Sequence, residues 1–95
     1  MFAALLKRRR EKVRARQYVM TFHAEEEMND DGWSIFDVEN GILTGEIIER
    51  QKDKTTGEWK YLIRGKTVTA DDLIVVGKLG LTDRLVIITV YSEGK

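Results

Sequence analysis

The single histidine of the chain, His23, is the first candidate for acid–base chemistry, because imidazole is the side chain that titrates near neutral pH unaided. Glu26 and Glu27 follow it at the i+3 and i+4 positions, which lie on the same face of a helix. A carboxylate there could orient the imidazole and raise its basicity. A structural hydrogen-bonding role for His23 is the alternative, and a metal site at His23 and Glu27 would need further ligands from elsewhere.

Basic residues on a predicted strand form the second candidate set. Lys60 and Arg64 share one face of this strand, where together they could hold a phosphate and stabilise the charge that develops in phosphodiester cleavage. Trp59 and Tyr61 share the opposite face. The structural alternative is a solvated strand whose lysine and arginine protect a sheet edge from aggregation.

The last predicted strand adds two polar side chains. Alternation places Leu85, Ile87, Thr89 and Tyr91 on one face, so that polar groups extend an apolar row. Tyr91 could donate a hydrogen bond to a phosphate or stack on a base. Alternatively, it covers the core and keeps its hydroxyl in water.

Composition excludes several other chemistries. With no cysteine, the chain has no disulfide, no thiol nucleophile and no cysteine-ligated zinc, and one histidine rules out a multi-histidine metal site. No glycine-rich loop has the spacing that cradles a phosphate. The sequence therefore predicts neither a metal nor a cofactor. No apolar run approaches the ~20 residues that cross a bilayer, which predicts a cytoplasmic protein without a membrane partner.

Charge is unevenly distributed along a chain whose net charge is zero. Residues 1–20 carry a net charge of +6, residues 21–49 one of −9, and residues 50–95 one of +3. The basic segment is expected to meet a polyanion or an acidic partner. The alternative is that the basic and acidic segments face each other and cancel. We assign residues 1–16 to a basic N-terminal helix and residues 17–95 to a single α+β domain.

Local patterns predict helices first and strands afterwards. Helices are expected over 3–16, over 22–29 with Thr21 as its cap, and after the capping box that Ser34 opens. Strands are expected over 46–52, 58–65, 72–78 and 84–91, with turns at 53–57 and 79–83. The predicted architecture is α+β, with the helices on one face of an antiparallel meander of four strands, or five if residues 17–21 join it.

Four strings together resemble a bacterial family known as domain of unknown function 4258, over about residues 17–91: HAEEEM at 23–28, DVENGILTGEIIE at 37–49, KYLIRG at 60–65 and VIITVY at 86–91. Members often carry arginine where this chain has Glu27 and Asp31. The family is similar to the RelE-like and BrnT-like toxins, small α+β proteins that cleave RNA without a metal. Many members are encoded beside a zinc-finger antitoxin of the MqsA kind. The resemblance implies a toxin-type fold and a paired antitoxin.

The leading hypothesis is a metal-independent endoribonuclease toxin of a type II toxin–antitoxin system. In this hypothesis Lys60 and Arg64 hold the scissile phosphate, while His23 or Tyr91 moves protons. The residues predicted to bind RNA or the antitoxin are Lys7, Arg8, Arg9, Arg10, Tyr61 and Thr89.

Two other hypotheses compete with the ribonuclease. The second is a non-catalytic partner-binding or regulatory module on the same scaffold, favoured by the acidic segment 25–31, which would repel phosphate. Convergence of His23, Arg64 and Tyr91 in one cleft favours the enzyme, and their separation favours the binding module. The third is self-association through an exposed sheet edge.

Overall fold

A computed structural model of the chain describes residues 3–15, 17–79 and 84–92, which fold into three helices and one five-stranded sheet. Their bounds are α1 Ala3–Arg14, β1 Tyr18–Met20, α2 Phe22–Asp30, α3 Ile35–Thr44, β2 Glu46–Lys52, β3 Trp59–Lys66, β4 Asp72–Leu79 and β5 Leu85–Tyr91. The predicted α+β class is confirmed. Arg16, most of the predicted turn at 79–83 and the ends of both predicted domains lie outside the described residues.

The sheet has the strand order β1-β5-β4-β3-β2. Strands β2 to β5 form the predicted antiparallel meander. The fifth strand, β1, joins the sheet parallel to β5, with Tyr18 opposite Leu85 and Met20 opposite Ile87. The sheet is therefore mixed, not wholly antiparallel. A parallel pair needs a long connection, and here two helices and three strands, from α2 to β4, lie between β1 and β5 in the chain.

Within the residues that the structure describes, β2 is the strand at one edge of the sheet. Four of its seven residues are charged, and a bulge interrupts its pairing with β3 between Ile47 and Glu49. Charged side chains and bulges both oppose edge-to-edge pairing between molecules. These features disfavour β2 as a self-association edge, and self-association itself stays a prediction.

The two faces of the sheet differ in what covers them. The main buried cluster joins residues of all three helices, such as Leu6, Ala24 and Ile42, to the sheet residues Ile63 and Val75. We call this side the helix-covered face. A second cluster contains only strand residues, Leu62, Ile74 and Val76. No described helix contributes to it, and we call this side the open face.

A contact between two glycines sets the distance between α3 and β3. A Cβ atom on Gly65 would lie 1.9 Å from the backbone oxygen of Gly41, and one on Gly41 would lie 2.7 Å from a methyl carbon of Leu73. Neither position has room for a side chain. The helix α3 continues through Gly41, and Gly45 is the residue that follows it. The role of Gly41 is close packing.

The basic helix α1 packs against α3 and β5 through a narrow buried stripe. Leu6, Arg9 and Val13 form this stripe, with exposed fractions of 8%, 1% and 4%. The guanidinium of Arg10 donates to the Gly45 carbonyl oxygen at 2.6 Å and to that of Ile42 at 3.4 Å. Arg10 therefore satisfies carbonyls at the C-terminal end of α3, where a positive charge is also favoured by the helix dipole.

Side-chain caps attach the start of α2 to β5 and the start of α3 to the turn between β3 and β4. The Thr21 hydroxyl accepts from the Ala24 backbone N–H and donates to the Ile88 carbonyl in β5. The Asp37 carboxylate accepts from the backbone N–H of Ser34 at 3.0 Å and from that of Val68 at 2.9 Å. Each predicted cap is therefore also a tertiary contact, which fixes where its helix begins on the sheet.

The turn between β2 and β3 is organised by one carboxylate. Asp53 Oδ1 accepts from the backbone N–H groups of Thr55 at 2.8 Å and Thr56 at 3.2 Å. These backbone hydrogen bonds lower the pKa of Asp53 below its ordinary value, because they favour the charged carboxylate.

We predict that Gly65→Ala costs about 3 kcal/mol of unfolding free energy, because the added carbon must push α3 away from β3. Gly77→Ala is the matched control, since its added carbon meets mainly a Leu85 methyl carbon, at 3.2 Å, which can move. Urea unfolding of both variants measures the difference. Equal losses would show that the glycine contact does not set the helix position.

We predict that Asp53→Ala destabilises the protein at neutral pH and that the difference shrinks in acid. A carboxyl group whose pKa is lowered on folding stabilises the fold above its unfolded pKa of about 3.9, and this contribution is lost as the pH falls through the folded pKa. Thermal unfolding of both proteins at neutral pH and in acid, below the unfolded pKa, tests this. A pH-independent difference contradicts the assignment.

Candidate functional site

The strand register brings four of the predicted site residues onto the open face. Arg64 pairs with Ile74 of β4, and Ile74 pairs with Tyr91 of β5, so these three side chains form one row across the sheet. Lys60 lies on the same face of β3 by alternation, and Thr89 pairs with Val76 there. The predicted sharing of a face by Lys60 and Arg64 is confirmed.

A β-bulge corrects the prediction for the last strand. Val76 pairs with Thr89 but Gly77 pairs with Ile87, so Ile88 is an extra residue without a partner in β4. An extra residue reverses the alternation of faces beyond it. Leu85 and Ile87 therefore belong to the helix-covered core, while Thr89 and Tyr91 face the open side. The predicted common face for all four residues is wrong.

The floor of the open face is apolar and well covered. Ile74 has an exposed fraction of 1%, although no described helix lies over it, and Leu62 and Val76 have 8% and 6%. Arg64 and Tyr91 flank Ile74 in the register, with backbones about 10 Å apart. Cationic and phenolic groups therefore stand on either side of a water-poor floor.

A cleft of about 420 Å³ lies at the Arg64 end of this row. Its lining is Thr44, Gly45, Glu46, Arg64, Gly65, Lys66 and Asp72. The volume falls in the range of small-ligand sites. Arg64 is 3.8 Å from Glu46, and Lys66 contacts Asp72, so the charged side chains of the cleft are arranged as ion pairs.

His23 lies in the helix layer and reaches the sheet only at its edge. Its Nε2 atom is 3.2 Å from Glu27 Oε1, and its side chain is 67% exposed. The same Glu27 oxygen accepts from the backbone N–H of Val90 at 3.2 Å. Val90 lies beyond the residues of β5 that pair with β1. The imidazole is thus linked to the backbone next to Tyr91, while Lys60 and Arg64 stand on β3, two strands further into the sheet.

The predicted RNA- or partner-binding residues are divided among several surroundings. Lys7 and Arg8 are exposed on α1, whereas Arg10 is bound to the end of α3. Arg9 is buried with its guanidinium carbon 4.2 Å from the centre of the Tyr61 ring, on the helix-covered side. Burial lowers the pKa of Arg9. Tyr61 is therefore separated from the open face that carries Thr89.

Glu46 is a residue of the site that the sequence reasoning missed. It stands opposite Arg64 in the β2–β3 pair and belongs to the same row as Ile74 and Tyr91. The hairpin turn at 53–57 gives a signal, since strands leaving a turn pair in reverse order. The bulge near Ile48 shifts that register by one residue, so counting from the turn reaches the wrong partner.

Within residues 3–15, 17–79 and 84–92, no three acidic or histidine side chains are grouped closely enough to hold a metal ion. Among the helices of the same residues, none combines the length and the apolar character that spanning a membrane requires.

The protein is therefore an α+β protein with helices on one face of its sheet and a row of polar side chains on the other. A family model described as a domain of unknown function (DUF4258) matches residues 20–92, and the chain belongs to this family. This confirms the family resemblance read from the sequence. No curated protein and no solved structure matches the chain.

We predict that Glu27→Ala lowers the unfolding free energy by about 1 kcal/mol, because the Val90 N–H loses its acceptor. His23→Gln is the control and is expected to change stability by less than about 0.5 kcal/mol, since the ring is mostly exposed. Chemical denaturation measures both. A larger loss for His23→Gln than for Glu27→Ala contradicts this view of the pair.

Proposed function

We propose that the chain is a metal-independent endoribonuclease toxin whose site is the open face of the sheet. The observation that carries the proposal is the common face of Lys60, Arg64, Thr89 and Tyr91, over the apolar floor at Ile74. Cleavage of RNA without a metal needs stabilisation of negative charge on the phosphate and transfer of protons, and these cations and this phenol can supply both. The resemblance to RelE-like and BrnT-like toxins, drawn from the sequence motifs, implies the same activity.

In the proposed reaction, the 2′-hydroxyl of the substrate attacks the adjacent phosphorus and the bond to the 5′ oxygen breaks. The products are a 2′,3′-cyclic phosphate and a free 5′-hydroxyl. Lys60 and Arg64 bind the phosphate and stabilise its added negative charge. Tyr91 donates a proton to the departing 5′ oxygen, and solvent takes the proton of the 2′-hydroxyl.

His23 has a positioning role in this proposal. Its contact with Glu27, which binds the Val90 N–H, holds the end of β5 that carries Tyr91. The ring lies at the sheet edge and not over the apolar floor. Of the two proton carriers predicted from the sequence, the geometry therefore favours Tyr91.

We expect Tyr91→Phe and Arg64→Gln each to lower kcat for cleavage of a single-stranded RNA by about 100-fold. His23→Gln is the control and is expected to retain activity within about threefold, because glutamine can still hydrogen-bond to Glu27. Cleavage of a fluorogenic RNA in the presence of a chelator is the measurement, with product ends identified by mass.

Three results would contradict the proposed site. The first is an intact RNA after prolonged incubation with the wild-type protein. The second is unchanged cleavage by both open-face variants, and the third is loss of cleavage in His23→Gln alone. In a bacterial host, Arg64→Gln is expected to relieve any growth defect that the wild-type protein causes.

The second candidate is a non-catalytic partner-binding or regulatory module. His23 is linked through Glu27 to β5, two strands away from Arg64 on β3, and this separation is the arrangement expected of the binding module. Ion pairing on the open face also favours it, since Arg64 lies near Glu46, Lys66 contacts Asp72 and Lys78 is 2.9 Å from Glu58. Such pairs reduce the positive field that would attract RNA. A partner of the MqsA-like zinc-finger kind would then bind this face without any chemistry.

The two candidates differ in one measurement. If the wild-type protein binds the product of a neighbouring antitoxin gene but leaves RNA intact, the binding module is the better account.

A further inference from the structure

The helix-covered side of the β2–β3 hairpin carries an exposed tryptophan surrounded by cations. The guanidinium carbon of Arg50 lies 4.4 Å from the centre of the Trp59 ring, and the Lys52 ammonium lies 5.8 Å from it. Both distances are within the range of cation–π attraction. Trp59 is 41% exposed, so the helix layer ends before it. We call these three residues the hairpin patch.

The hairpin patch differs from the open face in how its charge is balanced. Among the described residues, neither Arg50 nor Lys52 lies within salt-bridge distance of a carboxylate, whereas Arg64, Lys66 and Lys78 on the open face all do. The register places no acidic residue of β2 or β3 on the same side as Trp59. Two positive charges therefore stay without carboxylate partners beside an accessible indole.

A buried cation extends this positive region toward α1. Arg9 stacks on Tyr61, the next residue of β3 on the same side, and Tyr61 pairs directly with Arg50. The Nε atom of Arg9 is buried without a hydrogen-bond partner among the described residues. The helix that carries Arg9 has six basic residues and one acidic residue. The electrostatic potential around Trp59 is therefore positive both from the strand, which carries Arg50 and Lys52, and from the helix α1.

We propose that the hairpin patch is a binding surface for single-stranded RNA, separate from the open face. An unpaired base stacks on the Trp59 ring, and the phosphates on either side of it contact Arg50 and Lys52. Aromatic rings beside unpaired cations are the arrangement that binds single strands with little sequence preference. An acidic protein would use the cations but would gain little from a flat exposed indole.

The choice of RNA over DNA rests on the proposed function, whereas the stacking surface itself needs no catalysis. The open face lies on one side of β3 and the hairpin patch on the other. An RNA strand bound at the patch would therefore continue around the edge of the β2–β3 hairpin. The patch would then raise the affinity for long substrates without touching the scissile phosphate.

The test is binding of a labelled single-stranded RNA with 2′-O-methyl riboses, which cannot be cleaved because no free 2′-hydroxyl remains. We expect Trp59→Ala to weaken binding by about 10-fold or more and Trp59→Phe by only about two- to threefold, since phenylalanine still stacks. Fluorescence anisotropy gives the dissociation constants, and circular dichroism checks that each variant is folded.

Charge is tested with a matched pair of single substitutions. Lys52→Gln is expected to lower the slope of log binding constant against log salt concentration by about 0.7, the value for one phosphate contact on a single strand. Lys66→Gln removes the same charge from the far end of β3 on the other face, and the slope is expected to stay unchanged.

Unchanged affinity in Trp59→Ala would overturn the hairpin patch as a stacking surface. Tighter binding of single-stranded DNA than of RNA with the same sequence would overturn the choice of RNA. RNA binding that depends on Trp59, in a protein that cleaves no RNA, would support the patch and contradict the proposed function.

Discussion

The close approach of α3 to β3 at Gly41 and Gly65 fixes which side of β3 faces the helices, and both functional surfaces follow from it. Because side chains alternate along a strand, a glycine that faces the helix at position 65 turns Arg64 away from it, onto the open face. The same alternation turns Trp59 toward the helix side, just beyond the point where the helix layer ends. One backbone contact thus fixes the orientation of a strand that carries basic residues on one face and aromatic residues on the other.

The two surfaces differ in whether their cations have carboxylate partners, a difference that the zero net charge of the chain does not reveal. On the open face, Arg64, Lys66 and Lys78 each have a carboxylate close by, so their field is short-ranged and their main contribution is to place donors over an apolar floor. In the hairpin patch, Arg50 and Lys52 have an aromatic ring in place of a carboxylate. Their charge extends into solvent and attracts a polyanion from a distance, which is the property needed for binding and not for chemistry.

Local signals in the sequence were sufficient for the order and type of the elements. The Thr21 cap, the Ser34 capping box and the glycine-containing turn at 53–57 each act over a few residues, and each appears where it was predicted. No local sequence signal marks the bulge at Ile88, because a run of β-branched residues shows the same pattern whether or not one of them is left out of the strand pairing. Strict alternation therefore failed for Thr89 and Tyr91, although both had been chosen as candidates from their chemistry.

Local propensity, recurring motifs and the pleat of a single strand were sufficient to predict the α+β class, the family, the main elements and the common face of Lys60 and Arg64. The folded arrangement was needed to show that Tyr91 joins that face, that Glu46 completes the row and that His23 lies at the sheet edge. The physical reason is that these placements depend on register and on the packing of helices over strands. Both are set by contacts between residues distant in the chain, which local patterns do not encode.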